Sequence, residues 1–559
     1  MSRIATQRSQ HLQTVGASEK TISRASRRPL PPFGGGKPYP PLLPEREEYV
    51  VEFDGPDDPL HAQNWPLRKK LVTAGVLVYT TLISAFTSSI FSTATATIAR
   101  DYDVGLEVAL LGTSFFVLGF AFGPTLWAPF SELKGRRLPI IIAVFGFSIF
   151  AIATATAKDI QTILICRFFG GFFGSGPLAV VAAVFSDLFN NETRGIAITL
   201  YSLATFTGPL CAPFIGGFIV ESSLGWRWVE YLPSILGWIA FGLNLFLLEE
   251  TYPPAILVGK AAELRRRTKN WGIHAKQEEI EIDIVELITK NFSRPLRLLF
   301  TEPVILLLSI YISFVYGLLY LFLTAYQLVF VGQHGFNLGE SGLTEIGLII
   351  GQVLAAISII AQQPWYNRKL RANHGIPVPE WRLPSMMVGG VFFAIGIFWF
   401  GWTGFTGRIS WVAPAASGIF TGFGLLCIFL QALNYIIDSY LMFAASAIAA
   451  NTFMRSLCAA GFPLFARQMF TGMHIQWAST LLGCLAVGMV PIPFIFYFYG
   501  ARIRAKSDIA PQMAAPANSG LRAPDTAEDT SDMEKESDQA AASSAPRRAS
   551  DIDGPSSSV

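Results

Sequence analysis

The stretch GPLCAPFIGG, residues 208–217, sits inside a long apolar run and holds two prolines and three glycines. Both residue types disfavour a helix interior. Gly208, Ala212 and Gly216 are spaced four apart and so lie on one helix face, where small residues let a second backbone approach closely. Pro209 and Pro213 each remove a helical hydrogen bond. In lipid, the carbonyls so freed must be satisfied by neighbouring helices, side chains or water. The expected structure is a bent transmembrane helix packed tightly against another. A generic packing face fits the same residues.

The rest of the chain agrees with a membrane setting. Its 559 residues are 51% hydrophobic and 15% charged, with a mean hydropathy of +0.43, against about 25% charged in soluble domains. A net charge of +2 gives no ground for a nucleic-acid partner. The five cysteines, Cys166, Cys211, Cys427, Cys458 and Cys484, fall in apolar segments without a CxxC and read as small buried apolar residues. No metal-ligand spacing and no cofactor motif is present. No cleavable leader is expected, because the first apolar run begins near residue 71 after a polar, Arg- and Pro-rich arm.

Apolar segments of about 20 residues, each long enough to cross a bilayer, recur near 71–97, 107–130, 138–157, 160–186, 195–220 and 229–248, and again near 303–330, 342–363, 384–404, 410–432, 437–465 and 477–500. The fold class is therefore all-α integral membrane, with twelve transmembrane helices in two six-helix halves, 71–250 and 303–504. A cytoplasmic loop at 251–302 joins them, and arms at 1–70 and 505–559 flank them. Both arms are expected to be disordered, apart from NWPLRKK (64–70), whose cations mark a cytoplasmic boundary. The central loop contains KAAELRRRTKN and then EEIEIDIVELI, which read as one or two amphipathic helices against the inner leaflet or as a solvated linker. The repeat rests on hydropathy, since the identity between the halves is weak.

Cations set the orientation. Lys134, Arg136 and Arg137 follow the second span, and Arg368, Lys369, Arg371 and Arg382 follow the eighth. Single cations, Arg100 and Arg408, follow the first and ninth, and none follows the seventh. The charged loops, and with them both termini, are expected to be cytoplasmic. The tripeptides NET (191–193) and NFS (291–293) fall on that side and are not expected to be glycosylated.

Several stretches are similar to the major facilitator superfamily. GPLCAPFIGG resembles its fifth-helix antiporter motif, with Gly208, Pro213, Gly216 and Gly217 matching and Ala212 in place of a glycine. APFSELKGRR (128–137) resembles the loop between helices two and three: Gly135, Arg136 and Arg137 match, and Glu132 stands for the usual aspartate. RFFGG (167–171) resembles the fourth-helix motif through Arg167 and Gly171. ETYPPAILVGKAAELRRRT, PEWRLP and YLMFAASAIAANTFMRSLCAAGFPLF are similar to the twelve-span fungal drug:proton antiporter branch, and the likeness covers roughly residues 60–505. It implies a secondary transporter, not an enzyme, that exports a drug, toxin or secondary metabolite against protons.

Arg167 is a cation early in the fourth span. Such a charge is costly at mid-bilayer and is usually functional, although near the outer side it could snorkel. Glu132, Arg136 and Arg137, with Asp187 and Arg194 nearby, could form a latch that closes the cytoplasmic side in one state only, or act as ordinary topology charges. Asp438 and Arg455 are placed at the start and inside of the eleventh span. Glu345 and Gln352 share a face of the eighth, with Glu345 near its outer, wet end. Aromatic and hydroxyl residues suit a cavity for flat amphipathic cargo: Ser88 and Ser92 with Thr95 in span one, Tyr316, Tyr320 and Gln327 in span seven, then Gln352, Asn434 and Arg455. Helix packing explains the same residues.

The expected partners are a small-molecule substrate, protons and lipid, with no nucleic acid, and the chain is expected to be a monomer. The expected location is the plasma membrane, with the vacuolar membrane as the alternative. The competing function is a proton-coupled uptake carrier, or a polyamine or organic-acid transporter of the same fold. A primary pump is excluded by the lack of Gly-x4-Gly-Lys-Ser/Thr.

Overall fold

The computed structural model describes residues 47–190, 193–279, 293, 295–373, 378–440 and 444–504. The expectations for residues 1–46 and for the tail beyond 504 lie outside these residues, as do most of EEIEIDIVELI and parts of both NET and NFS. Among the described residues the chain is helical, with one isolated parallel bridge between Val50 and His274.

Eleven helical stretches are long and apolar enough to cross a membrane. They are Leu67–Asp101, Leu106–Lys134, Arg137–Thr156, Ile160–Leu188, Arg194–Glu221 and Trp228–Leu247 (spans one to six), Pro303–Val331, Leu338–Ala372, Pro379–Gly404 and Val412–Ser439 (spans seven to ten), and Ile475–Arg504 (span twelve). Span eleven, Ala444–Gly472, is equally long but carries Asn451, Arg455, Arg467 and Gln468, which make it less apolar. Large apolar side chains such as Phe246, Ile357 and Phe498 stand exposed on these helices, as expected of a surface that faces lipid. The chain is a multi-pass membrane protein.

Local chemistry sets the helix limits. Asp159 caps span four by accepting from the Thr162 amide at 2.7 Å. Gly135, at φ +86°, ends span two in a conformation that side chains rarely adopt. Span one is interrupted by a 3-10 turn at Phe91–Ala94, span seven ends in a π turn at Gln327–Val331, and span eight breaks between Leu338–Leu343 and Ile346–Ala372. Two boundaries correct the sequence reading. Span ten continues to Ser439, and span eleven is described from Ala444. Asp438 therefore belongs to the last turn of ten and not to the start of eleven, because the polar NYIID stretch is still helical.

The packing shows the repeat that sequence identity hides. In the first half, span two packs on four, three on four, one on five and three on six. In the second, eight packs on ten, nine on ten, seven on eleven and nine on twelve. Adding six to each number converts one set into the other. The contacts between halves obey the same rule: two meets eleven, and five meets eight.

The helix Pro253–Thr268, in the segment joining the halves, ends in Arg265, Arg266 and Arg267, cations that suit the negative end of the helix dipole. Beside it, part of the N-terminal arm is ordered, so the structured chain begins before NWPLRKK. The Val51 amide donates to the His274 carbonyl at 2.8 Å, and the His274 amide donates to the Tyr49 carbonyl at 3.0 Å. Val51, Ala261 and Ala275 share a small apolar core. Asp58 accepts from the backbone amides of Asp54 and Leu60, and these hold its carboxyl below the usual aspartate range.

Candidate functional site

The GPLCAPFIGG helix makes both contacts that its composition calls for. Pro213 has no amide to offer the Pro209 carbonyl one turn back, and the Ser89 hydroxyl of span one donates to that carbonyl instead at 2.9 Å. Gly208 and Gly216 face span one. A Cβ on Gly208 would stand 2.9 Å from the Leu82 oxygen, and one on Gly216 would stand 2.6 Å from Thr93 Oγ1. Ala212, on the same face, is fully buried.

Gly217 faces the other half, where a Cβ would stand 2.6 Å from the Gly339 nitrogen. One turn away, a Cβ on Gly342 would overlap the backbone of Pro213 and Phe214. Glu221 accepts from the Leu338 amide at 2.6 Å, and Gln468 donates to Glu107 at 3.2 Å. At this end of the bundle spans five and eight meet backbone to backbone. At the other end the halves meet through side chains: Gly195 lies against the Gln363 amide, and Arg194 is within electrostatic reach of Asp438.

Arg167 does not snorkel. It is 1% exposed and pairs with Glu230 of span six at 3.0 Å. Its remaining donors reach three backbone oxygens: Gly112 at 3.0 Å, Thr87 at 3.1 Å and Ser88 at 3.4 Å. Thr87 and Ser88 lie in the last α turn before the 3-10 break, where carbonyls lack helical donors. The faces of Phe91 and Phe116 cover the guanidinium at 4.7 and 4.3 Å. The cation is thus neutralised, with four of its five N–H donors engaged, which is what a low-dielectric site demands. Glu230 was not singled out in the sequence. Its signal was present as an acid inside an otherwise apolar span.

A second cluster lies between the halves. The Ser88 hydroxyl meets the Tyr320 hydroxyl at 2.8 Å, and Tyr320 meets Tyr316 at 3.4 Å. The Arg455 guanidinium lies over the rings of Tyr316 and Phe429 at 4.8 and 4.9 Å. Phe206 of span five packs on Phe429 at 4.5 Å and on Tyr316 at 5.9 Å. Arg455 has π faces around it, yet its Nε finds no acceptor among the described residues. A guanidinium is a set of donors with no acceptor capacity, so an acceptor-bearing, flat guest complements this group.

The remaining cavity candidates do not gather here. Ser92 bonds back to the Ser89 carbonyl, Gln327 opens the π turn, and Asn434 is half-buried near the far end of span ten. Gln352 is buried with both amide atoms unpartnered among the described residues. Glu345 is not wet: it is 2% exposed and its Oε2 has no hydrogen-bond partner among the described residues.

The expected latch exists in altered form. Arg136 donates through Nε to Asp187 at 3.1 Å and through Nη1 to Ser131 at 2.9 Å. The backbone amides of Arg136 and Arg137 donate to Glu250 at 2.8 and 3.1 Å. Arg137 also donates to the Leu245 carbonyl. Glu132 is exposed and forms no ion pair among the described residues, although it stands within electrostatic reach of Arg136. Arg194 stands away from the Arg136–Asp187 pair. Glu250, in EETYPP, is the acid the sequence reading overlooked. The second half carries a counterpart: Arg382 pairs with Asp438 at 3.3 Å, and Arg504 pairs with Glu380 at 2.5 Å. Asp187 and Asp438 close spans four and ten, so the two latches obey the same rule of six.

Comparison with known proteins completes the description. Residues 77–463 match the family model described as Major Facilitator Superfamily. The chain is 49% identical over 493 residues to the Candida albicans protein named major facilitator superfamily multidrug transporter FLU1, covering 88% of this chain and 81% of that one. It is also 49% identical over 507 residues to the Candida glabrata multidrug transporter TPO1_2, covering 90% and 87%. Among solved structures, the proton:xylose symporter XylE aligns with a TM-score of 0.56 at 15% identity, covering 78% of this chain and 97% of that one. That likeness concerns the fold alone.

Proposed function

Because the chain belongs to the Major Facilitator Superfamily, we propose that it exports small, flat, amphipathic organic compounds by alternating access, driven by protons moving inward. The relatives named multidrug transporters support the cargo class. The observation that carries the mechanism is the seam between spans five and eight. There an antiporter-type helix sets glycine against backbone across the two halves, and such a contact is either closed or open, with little in between.

Cargo docks on the cluster of Arg455, Tyr316, Phe429 and Phe206, to which both halves contribute. The site is reached in turn from each side as the seams exchange. The Arg136–Asp187–Glu250 and Arg382–Asp438 groups bias that exchange, because they tie loops to helix ends on one face. The Arg455 cation, whose Nε has no acceptor among the described residues, favours neutral or anionic aromatics and disfavours polyamines. The cation-rich loops favour an orientation with both termini in the cytoplasm. On this reading the transporter sits in the plasma membrane, with one chain forming one complete pathway.

The test is transport into inverted vesicles under an imposed pH difference. Three dyes differing in charge serve as cargo: 8-anilinonaphthalene-1-sulfonate, Nile red and rhodamine 6G. Accumulation that vanishes when the pH difference is collapsed supports the reading. Movement indifferent to that difference refutes it.

A further inference from the structure

Span eight breaks at Thr344 and Glu345, between the short helix Leu338–Leu343 and the long helix Ile346–Ala372. This break is where the GPLCAPFIGG helix docks, and Glu345 stands inside it. Three other acids drawn into the spans have cations: Glu230 has Arg167, Asp187 has Arg136 and Asp438 has Arg382. Glu345 has none among the described residues, and its Oε2 lacks any hydrogen bond.

The titratable groups that face it are the Cys211 thiol of span five and the Tyr326 phenol of span seven. Both are neutral at ordinary pH. Span ten, which packs on this part of span eight through Gly418 and Gly422, contributes no titratable side chain between Val412 and Gly422. The nearby acids are engaged elsewhere: Glu340 caps its own helix with Asn337, and Glu221 accepts from the Leu338 amide. Seven residues further along the same face, Gln352 is fully buried with both amide atoms unpartnered. A polar strip thus leads from the seam into the membrane interior.

We infer that Glu345 is the proton-carrying acid of the transport cycle, a residue that deepens the export reading and rests on it. A bare carboxylate without a partner is too costly in this apolar seam, so the closed seam holds the carboxylic acid. With five and eight parted, the carboxylate takes a proton from water on the outer side, forming its O–H bond, and becomes neutral enough for the seam to close. With the inner side open, water entering along the Gln352 strip hydrates the group, the O–H bond breaks and the proton passes to that water; the carboxylate left behind is no longer tolerated in a dry seam and drives five and eight apart again. Closure of the outer seam is thereby conditional on protonation, which couples the gradient to the exchange of access.

The full-length protein in liposomes tests this, with pyranine inside to read proton flux and 8-anilinonaphthalene-1-sulfonate as cargo. Glu345→Gln keeps the shape and neutrality of the acid but cannot release a proton. It should lose at least 10-fold in pH-driven dye movement and lose dye-dependent proton flux, while gradient-free exchange of labelled for unlabelled dye stays within about 2-fold of wild type. Glu345→Asp should restore part of the gradient-driven movement. Wild-type drive in Glu345→Gln overturns the inference. So does joint loss of exchange and drive, which assigns Glu345 a packing role. A wild-type protein indifferent to the pH difference refutes the export reading instead, so the two failures are distinct.

Discussion

Replacing either member of the Arg167–Glu230 pair tests how the buried charge is held. The ions are 3.0 Å apart and each side chain is 1% exposed. With an effective dielectric of about 20, their attraction is about 5–6 kcal/mol, part of which offsets desolvation of both groups. Removing one partner leaves the other buried and uncompensated, at roughly 3–5 kcal/mol. Arg167→Ala also strips donors from the Gly112, Thr87 and Ser88 carbonyls, so it should sit at the upper end, with Glu230→Ala below it. The double variant Arg167→Ala/Glu230→Ala removes both charges. It should be less destabilised than the sum of the singles by about 2 kcal/mol or more, a coupling within the range seen for contacting residues. The assay is denaturant-induced unfolding of the purified protein in micelles, followed by tryptophan fluorescence, alongside transport. Additivity within about 0.5 kcal/mol would refute a directly coupled pair. Wild-type export by an inserted, folded Arg167→Ala protein would remove the cation from the mechanism altogether.

Gly217→Val should block closure of the five–eight seam. Transport should fall by at least 10-fold while a cysteine placed at position 214, whose backbone lies against Gly342 of span eight, becomes more reactive to an impermeant maleimide; unchanged reactivity would count against the seam. Gly135→Ala forces a side chain into a positive-φ site and against Glu250, so it should destabilise by roughly 1–2 kcal/mol, and Glu250→Ala should resemble it in an unfolding assay. Arg455→Leu should raise the half-saturating concentration of an anionic dye by about 10-fold or more and change that of Nile red much less, as read from concentration-dependent transport. Ser88→Ala removes the Tyr320 bond between halves, worth about 1 kcal/mol, and should shift the balance between open and closed states measured by cross-linking without abolishing export.

The hydropathy of the chain was enough for the helices, because every backbone group in lipid must be satisfied within its own helix. Pro213 and the spacing of Gly208, Ala212 and Gly216 likewise announced a close partner and a borrowed donor, and span one with Ser89 supplies both. What the sequence could not convey was partnership between distant residues. Arg167 read as a cation that could reach water, because Glu230 lies 63 positions away in another apolar run. Glu345 read as wet because it lies near a predicted helix end, whereas the break in span eight turns that end into a buried seam. Asp438 was misassigned since the ends of polar-tipped helices are set by capping and packing, not by hydropathy. The cavity residues were the least legible. Ser88, Tyr316, Tyr320 and Arg455 come together only after seven, ten and eleven are docked on the first half, and Asn434 and Gln327 have the same residue chemistry without the location.

The strap formed by residues 47–65 and the helix Pro253–Thr268 has a mechanical corollary. Lys69 holds Glu249, Gln277 donates to the Glu132 carbonyl, and Glu250 grips the turn at Arg136, so among the described residues these contacts bolt the cap to the first lobe. Under the export reading it rides with that lobe as ballast while the opposite lobe swings past it. An antibody fragment or fluorophore fixed to the cap would then leave the engine running and serve as a stationary reference mark. The same attachment at Arg382 or Arg504 would register each stroke.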